Sequence, residues 1–339
     1  SRYHYSALAQ EFSGMFWANG RMHGRQTLLA EIDAEETDFL LVFGWNGMQS
    51  HQIPQAPRHL LRIAKDPDKS LVVIDPRLSE TAKVANLHLA IRPGTDALLL
   101  RAMIAIILRE GWENRDYIAH HTSGLDAIRG LFTDFDARAA VRTCNLDFDQ
   151  VHEVCRQFAT RKSCLRYDLG LLMNRHSAVS SYLAVVLQAI CGRIGVRGGN
   201  VFHGQMMPLG SHTDERDPKT WRTVATNFFP VVGCFPPNAM PEEILSDHPE
   251  RLRAVIVSGA NPLRSYADTT AYETAFKRLD LLVTAELAMT ETAVLSHYVL
   301  PARSGYESWD GTFFPFTFPG IYFQMRRPIV EPDGEGICM

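Results

Sequence analysis

An α/β fold with a mostly parallel sheet is what this sequence predicts, and two observations carry it. One pattern recurs along the 339 residues: an apolar, β-branched run, a loop of Gly, Pro, Asn or Asp, then a helical stretch. It occurs at 38–50 (DFLLVFGWNGMQS), 69–81 (KSLVVIDPRLSET), 87–96 (LHLAIRPGTD) and 163–177 (SCLRYDLGLLMNRHS). It returns at 253–265 (RAVIVSGANPLRS) and 279–292 (LDLLVTAELAMTET). Strands alternating with helices make βαβ units, and those units make parallel sheets. The second observation is that every polar loop follows its strand. Right-handed crossovers place such loops on one sheet edge, where ligands of open α/β sheets bind.

The elements follow in order. In 87–111 (LHLAIRPGTDALLLRAMIAIILREG) an apolar strand meets a tight turn, Arg92-Pro93-Gly94-Thr95-Asp96, and then a long apolar helix that Gly111 stops. The turn has two readings. In one, Pro93-Gly94 turns the chain and Thr95 or Asp96 caps the helix. In the other, the free N–H groups of the helix start make a small anion or base site. Six decorated loops are too many for accidental caps, which favours the second. Ser180 to Cys191 (SSYLAVVLQAIC) is another buried helix, ending at Gly192, and the GRIGVRGGN after it implies a close backbone approach. The segment 205–250 has weak periodicity and reads as a long crossing or insertion. At 305–325 seven Phe or Tyr and one Trp fall within 21 residues. Such a loop is costly in water, so a further domain or a partner is expected to cover it.

Composition excludes several classes. A net charge of −4, with no basic tract among aromatics, gives no case for nucleic-acid binding. No apolar run reaches membrane-spanning length, so no direct membrane insertion is expected. The six cysteines (144, 155, 164, 191, 234 and 338) form no CxxC pair, and buried free thiols are the expected state. Few reactive cysteines and no leader fit a cytoplasmic protein, with the periplasm as an open alternative. GxGxxG, GxxxxGK[ST], HExxH and GxSxG are all absent, so ordinary NAD and ATP sites lose their usual support. What remains is a nucleotide-like binder using Asp, Asn and Thr at strand ends.

Four stretches in order, VFGWNGMQSH, VVIDPRLSETAKVANLHLAIRPGTDALLLRAM, GRIGVRGGN and NPLRSYADT…TAELAMTETAVLSHYVLPA, resemble the molybdopterin oxidoreductase family. The type is that of formate dehydrogenase and dimethyl sulfoxide reductase, which bind two molybdopterin guanine dinucleotides around molybdenum or tungsten. The resemblance covers residues 15–325 and is that of the central part of the catalytic subunit. It implies two Rossmann-like doubly wound sheets, one domain inserted in the other, each cradling a dinucleotide. The implied division is 1–204 for the inserted domain, 205–310 for part of the second, and 311–339 as an aromatic-rich return towards further domains.

Carried over by motif, the first dinucleotide contacts Gly44, Asn46, Ser50, Asp75, Pro76, Arg77, Gly94, Thr95 and Asp96. Arg77 suits phosphate, and Asp96 can accept from the guanine N1 and N2 hydrogens. The second contacts Leu169, Gly170, Asn174, Gly204 and Gln205, then Gly259, Asn261, Pro262, Glu286, Thr290 and Thr292, with Glu286 as the carboxylate for the second guanine.

Departures from the family pattern bear on chemistry. Many relatives carry an arginine two residues before the glutamine of RGQ, beside the metal; this chain reads His203-Gly204-Gln205. An imidazole moves a proton near neutrality, whereas an arginine mainly holds an anion such as formate. The alternative for His203 is a hydrogen bond to the pterin, and His176 in NRHS is a second catalytic candidate. Relatives supply a Ser, Cys, selenocysteine or Asp metal ligand near the position where this sequence begins. Register back from Gly44 makes Ser6 the usual type at hand, with a ligand before residue 1 the stronger alternative. Gly311-Thr312-Phe313 and Gln324 match the relatives' GTF…Q, but PFTFPGIYF between them does not.

The resemblance implies two-electron redox of a small substrate at the metal, an electron-transfer partner subunit or domain, and a [4Fe-4S] cluster in a domain before residue 1. Two other readings stand beside it. One is a non-redox hydratase using the metal as Lewis acid, and the other a non-catalytic scaffold or assembly relative.

Overall fold

The computed structural model describes residues 3–204, 210–311, 320–321, 323–332, 334 and 336–337. The strands in chain order are β1 (Ala30–Ile32), β2 (Phe39–Phe43), β3 (Ser70–Ile74), β4 (Leu87–Leu89), β5 (Ser163–Tyr167), β6 (Asn200–Phe202), β7 (Ala254–Ser258), β8 (Leu281–Glu286), β9 (Tyr298–Pro301), β10 (Asp310–Gly311) and β11 (Met325–Arg326). The chain divides into two compact units. A central one comprises Glu11–Pro208 and Phe316–Ile321; a flanking one comprises Ser1–Gln10, Leu209–Pro315 and Tyr322–Met339.

The central unit is organised by a four-stranded parallel sheet in the order β4-β3-β2-β5. All five residues of β2 are buried, because the sheet is covered on both faces. Phe39, Leu41 and Phe43 join the larger core with the helices Asp96–Glu110, Phe148–Thr160 and Ser177–Ile190. The alternate residues Leu40 and Val42 pack against Leu60 and Ile63 of the helix Ala56–Lys65. Each such aromatic or aliphatic side chain contributes about 1.5–3 kcal/mol by leaving water, which fixes the strand period and hence the register. The short pair β1–β6 is antiparallel.

The helix after 92–96 runs Asp96–Glu110 and ends on Gly111 at φ +69°, as the sequence predicts. The second long helix is longer than the sequence suggests, Ser177–Ile190. After it the glycines make their close approach to their own chain. A Cβ on Gly199 would lie 2.6 Å from the Arg193 carbonyl oxygen, and Gly198 N–H donates to Asp33 at 3.0 Å.

The flanking unit carries the three-stranded parallel sheet β7-β8-β9. One face holds a core of Val257, Leu282, Leu263, Tyr272 and Phe276. Ile256, Tyr298 and Leu300 remain exposed. The weakly periodic stretch before this sheet is pinned by Glu243, a buried carboxylate that accepts from the N–H groups of Val224, Ala225 and Thr226 and from the Thr226 hydroxyl. Most of the aromatic segment, 312–319 with 322, lies outside the described residues. The neighbouring Asp310–Gly311 and Met325–Arg326 pair as β10 and β11.

Five cysteines are free and buried, and Cys338 lies outside the described residues. Burial pushes the Cys164 and Cys191 thiols up to about 12, so they are inert packing groups. Among the described residues no helix is long and apolar enough to cross a membrane.

Candidate functional site

The strand order of the central sheet reverses between β2 and β5, which makes the space beyond their C-terminal ends the expected crevice. Its floor is backbone. Gly170 N–H donates to the Gly44 carbonyl at 3.0 Å, and a Cβ on either glycine would lie 2.6–2.7 Å from backbone atoms of the other. Gly44 also has φ +57°, a left-handed conformation that glycine adopts without cost. The structure thus joins two glycines that the motif resemblance assigns to different cofactors.

From Gly44 the chain enters a polar cluster. Asn46 Oδ1 accepts from Thr81 N–H at 3.1 Å and from Thr81 Oγ1 at 2.9 Å; Asn46 Nδ2 donates to Glu80 at 2.7 Å. Thr81 Oγ1 in turn accepts from Met48 N–H, and Ser79 caps the helix Glu80–Val84 through Ala82 N–H. Ser50 Oγ donates to the Asn46 carbonyl.

The flanking unit repeats the Asn–Thr–Glu bonds of this cluster and its helix cap. Gly259 has φ +60°. Asn261 Oδ1 accepts from Thr292 N–H at 3.3 Å and from Thr292 Oγ1 at 2.7 Å; Asn261 Nδ2 donates to Glu291 at 2.8 Å. Thr292 Oγ1 accepts from Leu263 N–H, and Thr290 caps the helix Glu291–Leu295 through Ala293 N–H. Pro262 starts the short helix Pro262–Ser265. The two clusters span 35 and 31 residues of chain. Reading from the sequence reached Asn46, Asn261, Thr290 and Thr292 but missed Glu80, Thr81 and Glu291. The signal was there, as Gly-x-Asn followed by [Ser/Thr]-Glu-Thr-Ala, twice.

Beside the first cluster, Asp75 follows β3 and accepts from Arg77 N–H at 2.8 Å, with Pro76 and Arg77 exposed. The 92–96 turn differs from its simple reading as a cap. Thr95 Oγ1 donates back to the Arg92 carbonyl at 2.7 Å, and no side chain caps the helix. Thr95 therefore leaves the first-turn N–H groups without its hydroxyl as a cap. Asp96 is buried at the same helix start, and burial, aided by the Asp75 charge, raises its carboxyl above the ordinary range.

Under the crevice lies a buried ionic cluster that the sequence did not announce. Arg166 donates to Glu31 and at 2.9 Å to Gln52, and its guanidinium lies 5.4 Å from the Trp45 ring centroid. Asp168, 3% exposed, precedes Leu169 and Gly170; burial raises its carboxyl while Arg166 opposes. Among the described residues, Asp168 Oδ1, Arg166 Nε and Trp45 Nε1 are buried without hydrogen-bond partners.

The remaining candidates are more scattered. Asn174 bonds within its own turn, to the Leu171 carbonyl and the His176 N–H, and His176 is an exposed N-terminal flank of the helix Ser177–Ile190. His203 Nδ1 pairs with the Gly204 carbonyl at 2.8 Å. Gln205 lies outside the described residues. Glu286, at the end of β8, accepts from Leu287 N–H. Ser6 belongs to the flanking unit, where its hydroxyl accepts from Leu8 N–H. Among the described residues no three His, Cys, Asp or Glu side chains form a metal-ligating group.

Two parallel sheets with the same polar cluster at their C-terminal strand ends define an α/β protein with an internally repeated hydrogen-bond motif. The molybdopterin oxidoreductase family model matches residues 4–337, and the chain belongs to that family. The chain is 28% identical over 325 residues to an F420-dependent formate dehydrogenase subunit alpha of Methanocaldococcus jannaschii, covering 90% of this chain and 46% of that protein. To formate dehydrogenase H of Escherichia coli it is 26% identical over 331 residues, covering 93% and 44%. The fold is that of acetylene hydratase from Pelobacter acetylenicus (TM-score 0.79, 20% identity, 96% of this chain and 48% of that one). The chain spans just under half the length of the curated relatives it matches.

Proposed function

We propose that the chain is the central portion of a molybdenum or tungsten bis-pterin oxidoreductase catalytic subunit, working with an electron-transfer partner on a small substrate. The observation that carries this reading is the repeated Asn–Thr–Glu cluster, one at the open end of each parallel sheet. Two like sites call for two like ligands, and the bis-guanine-dinucleotide cofactor supplies them. The residues fit such a group. The crevice floor is bare glycine backbone, Asp96 is an acceptor for guanine donors, and Arg77 is an exposed cation for phosphate. The first dinucleotide is held by Gly44, Asn46, Ser50, Asp75, Pro76, Arg77, Gly94, Thr95 and Asp96. The second is held by Leu169, Gly170, Asn174, Gly204 and Gln205, with Gly259, Asn261, Pro262, Glu286, Thr290 and Thr292. When bound, the cofactor and its metal supply the two-electron chemistry, and the protein supplies placement and proton handling. The metal is carried by the pterins, with any protein ligand being Ser6 or a residue of a longer chain.

His203 favours a second reading. A histidine where many relatives place arginine suits a proton carrier better than an anion holder, as a hydratase would need. Metal analysis of the full-length protein purified without oxygen separates the possibilities. One molybdenum or tungsten per chain with dye-linked electron transfer supports the oxidoreductase. Metal without net redox turns the reading to a hydratase, and neither metal nor guanine nucleotide turns it to a scaffold.

Asp96 gives a sharper test. Asp96→Ala is expected to weaken retention of guanine nucleotide by roughly 10- to 100-fold, the worth of about 1.5–3 kcal/mol in charged hydrogen bonds. Stability should change little, since burial already disfavours this carboxylate. The pH dependence has a defined sign. The raised pKa of empty Asp96 means that its stability contribution is present in acid and lost as pH rises through that value. Guanine needs the ionised form, so nucleotide retention should rise over the same window. Dialysis over a pH series running upward from the ordinary carboxylate range reads retention by nucleotide assay, and urea unfolding of the nucleotide-free protein over the same series reads stability; full retention in Asp96→Ala would sink the assignment.

A further inference from the structure

The two clusters share one more feature, an arginine on the glutamate. In the central unit Arg77 Nη2 lies 3.5 Å from Glu80 Oε2; in the flanking unit Arg264 Nε lies 3.3 Å from Glu291 Oε1. The arginines come from different places in the chain. Arg77 lies three residues before its glutamate, on the loop after β3. Arg264 lies three residues after its asparagine, in the short helix Pro262–Ser265 that follows β7. The position equivalent to Arg264 in the central unit is Gln49, and that equivalent to Arg77 in the flanking unit is Ala288. What the two units share is therefore the guanidinium at the open strand end and not its position in the chain. Both side chains remain mostly exposed, 66% for Arg77 and 73% for Arg264, and ion pairs so exposed add little stability. Their donors remain accessible to a ligand.

We infer that Arg264 is a phosphate-binding residue of the flanking unit, doing there what Arg77 does in the central unit. Glu291 and Asn261 are its positioning residues. The Asn261 bond first, and the Arg264 charge with less weight, hold the Glu291 carboxyl below the ordinary range, so it stays ionised beside the guanidinium. A phosphate arriving at the strand end meets a guanidinium that touches Glu291 through Nε alone, with its other N–H donors accessible for a forked contact. The inference deepens the reading of two bound dinucleotides and rests on it.

The test uses the full-length protein purified without oxygen, with released guanine nucleotide counted per chain after gel filtration at low and high salt. The variants are Arg264→Gln, Arg264→Lys and, as control, Arg253→Gln. Arg253 pairs with Asp280 at the opposite edge of the sheet. Wild type and Arg253→Gln should keep two nucleotides per chain. Arg264→Gln should lose nucleotide about tenfold faster than wild type at low salt, with the difference narrowing at high salt, where the wild-type contact is screened as well, and with the thermal midpoint of the nucleotide-free protein unchanged. Arg264→Lys, which keeps the charge but not the fork, should fall between. Nucleotide content and salt response equal to wild type in Arg264→Gln would overturn the role of Arg264 while leaving the two dinucleotides in place. A wild type without guanine nucleotide would instead overturn the underlying reading.

Discussion

Gly170→Ala is expected to destabilise the central unit by about 3 kcal/mol and to strip the protein of nucleotide. The added Cβ would sit 2.6 Å from Gly44 Cα and carbonyl oxygen, and these atoms are backbone at the end of a strand buried on both faces. A side chain could swing aside, but β2 cannot, because its register is set by cores on both sides. Gly44→Ala meets the same contact from the other side and adds the cost of φ +57°, roughly 1–2 kcal/mol more. Gly94→Ala separates the two effects. Gly94 has φ +78° but open space around an added Cβ, so it should lose only the conformational part, roughly 1 kcal/mol. The order Gly44 > Gly170 > Gly94 is thus predicted from two independent quantities and is checked by urea unfolding. Equal losses at all three positions would mean that the Gly44–Gly170 contact is not the floor of the crevice.

The sequence makes the six strands and their loops legible for a physical reason. β-branched runs bounded by Gly, Pro and Asn carry their signal within a few residues, and all six appear as strands of the two parallel sheets. The same locality hid the rest. Arg166, Glu31 and Asp168 become one group only when β1 and β5 come together, across 135 residues of chain. No spacing rule reaches that far. The repeat of Asn46–Thr81–Glu80 in Asn261–Thr292–Glu291 was accessible in principle, as two short matching motifs. Without the hydrogen bonds each fragment reads as an ordinary cap, and a cap is what Ser79 and Thr290 also are. At 92–96 the sequence left a cap as one of two readings, and there Thr95 has the composition of a cap but donates its hydroxyl to the Arg92 carbonyl.

Arg166→Leu is expected to cost about 3–5 kcal/mol at neutral pH, because it leaves buried carboxylates without their counter-charge. In the wild type, burial works against the Arg166 charge, yet Glu31 and Asp168 hold the guanidinium ionised, a balance that needs all three groups. Without it, Asp168 takes up a proton instead. Asp168 is already raised, and losing Arg166, which opposes that shift, raises it further. A carboxyl raised in the folded state gives stability that is present in acid and lost as pH rises through the folded value. The penalty of Arg166→Leu should therefore be small in acid and grow towards neutrality. A penalty independent of pH would assign the loss to packing alone and exclude the ionic cluster as its cause. The consequence reaches the crevice as well, since Arg166 holds Gln52, which like His51 and Gln55 sits in left-handed backbone that side chains rarely adopt. Freed from Arg166, that loop is expected to relax, carrying Ser50 with it. Nucleotide retention should then fall below that of the wild type at the same pH even in acid, where the folded state of the variant is restored.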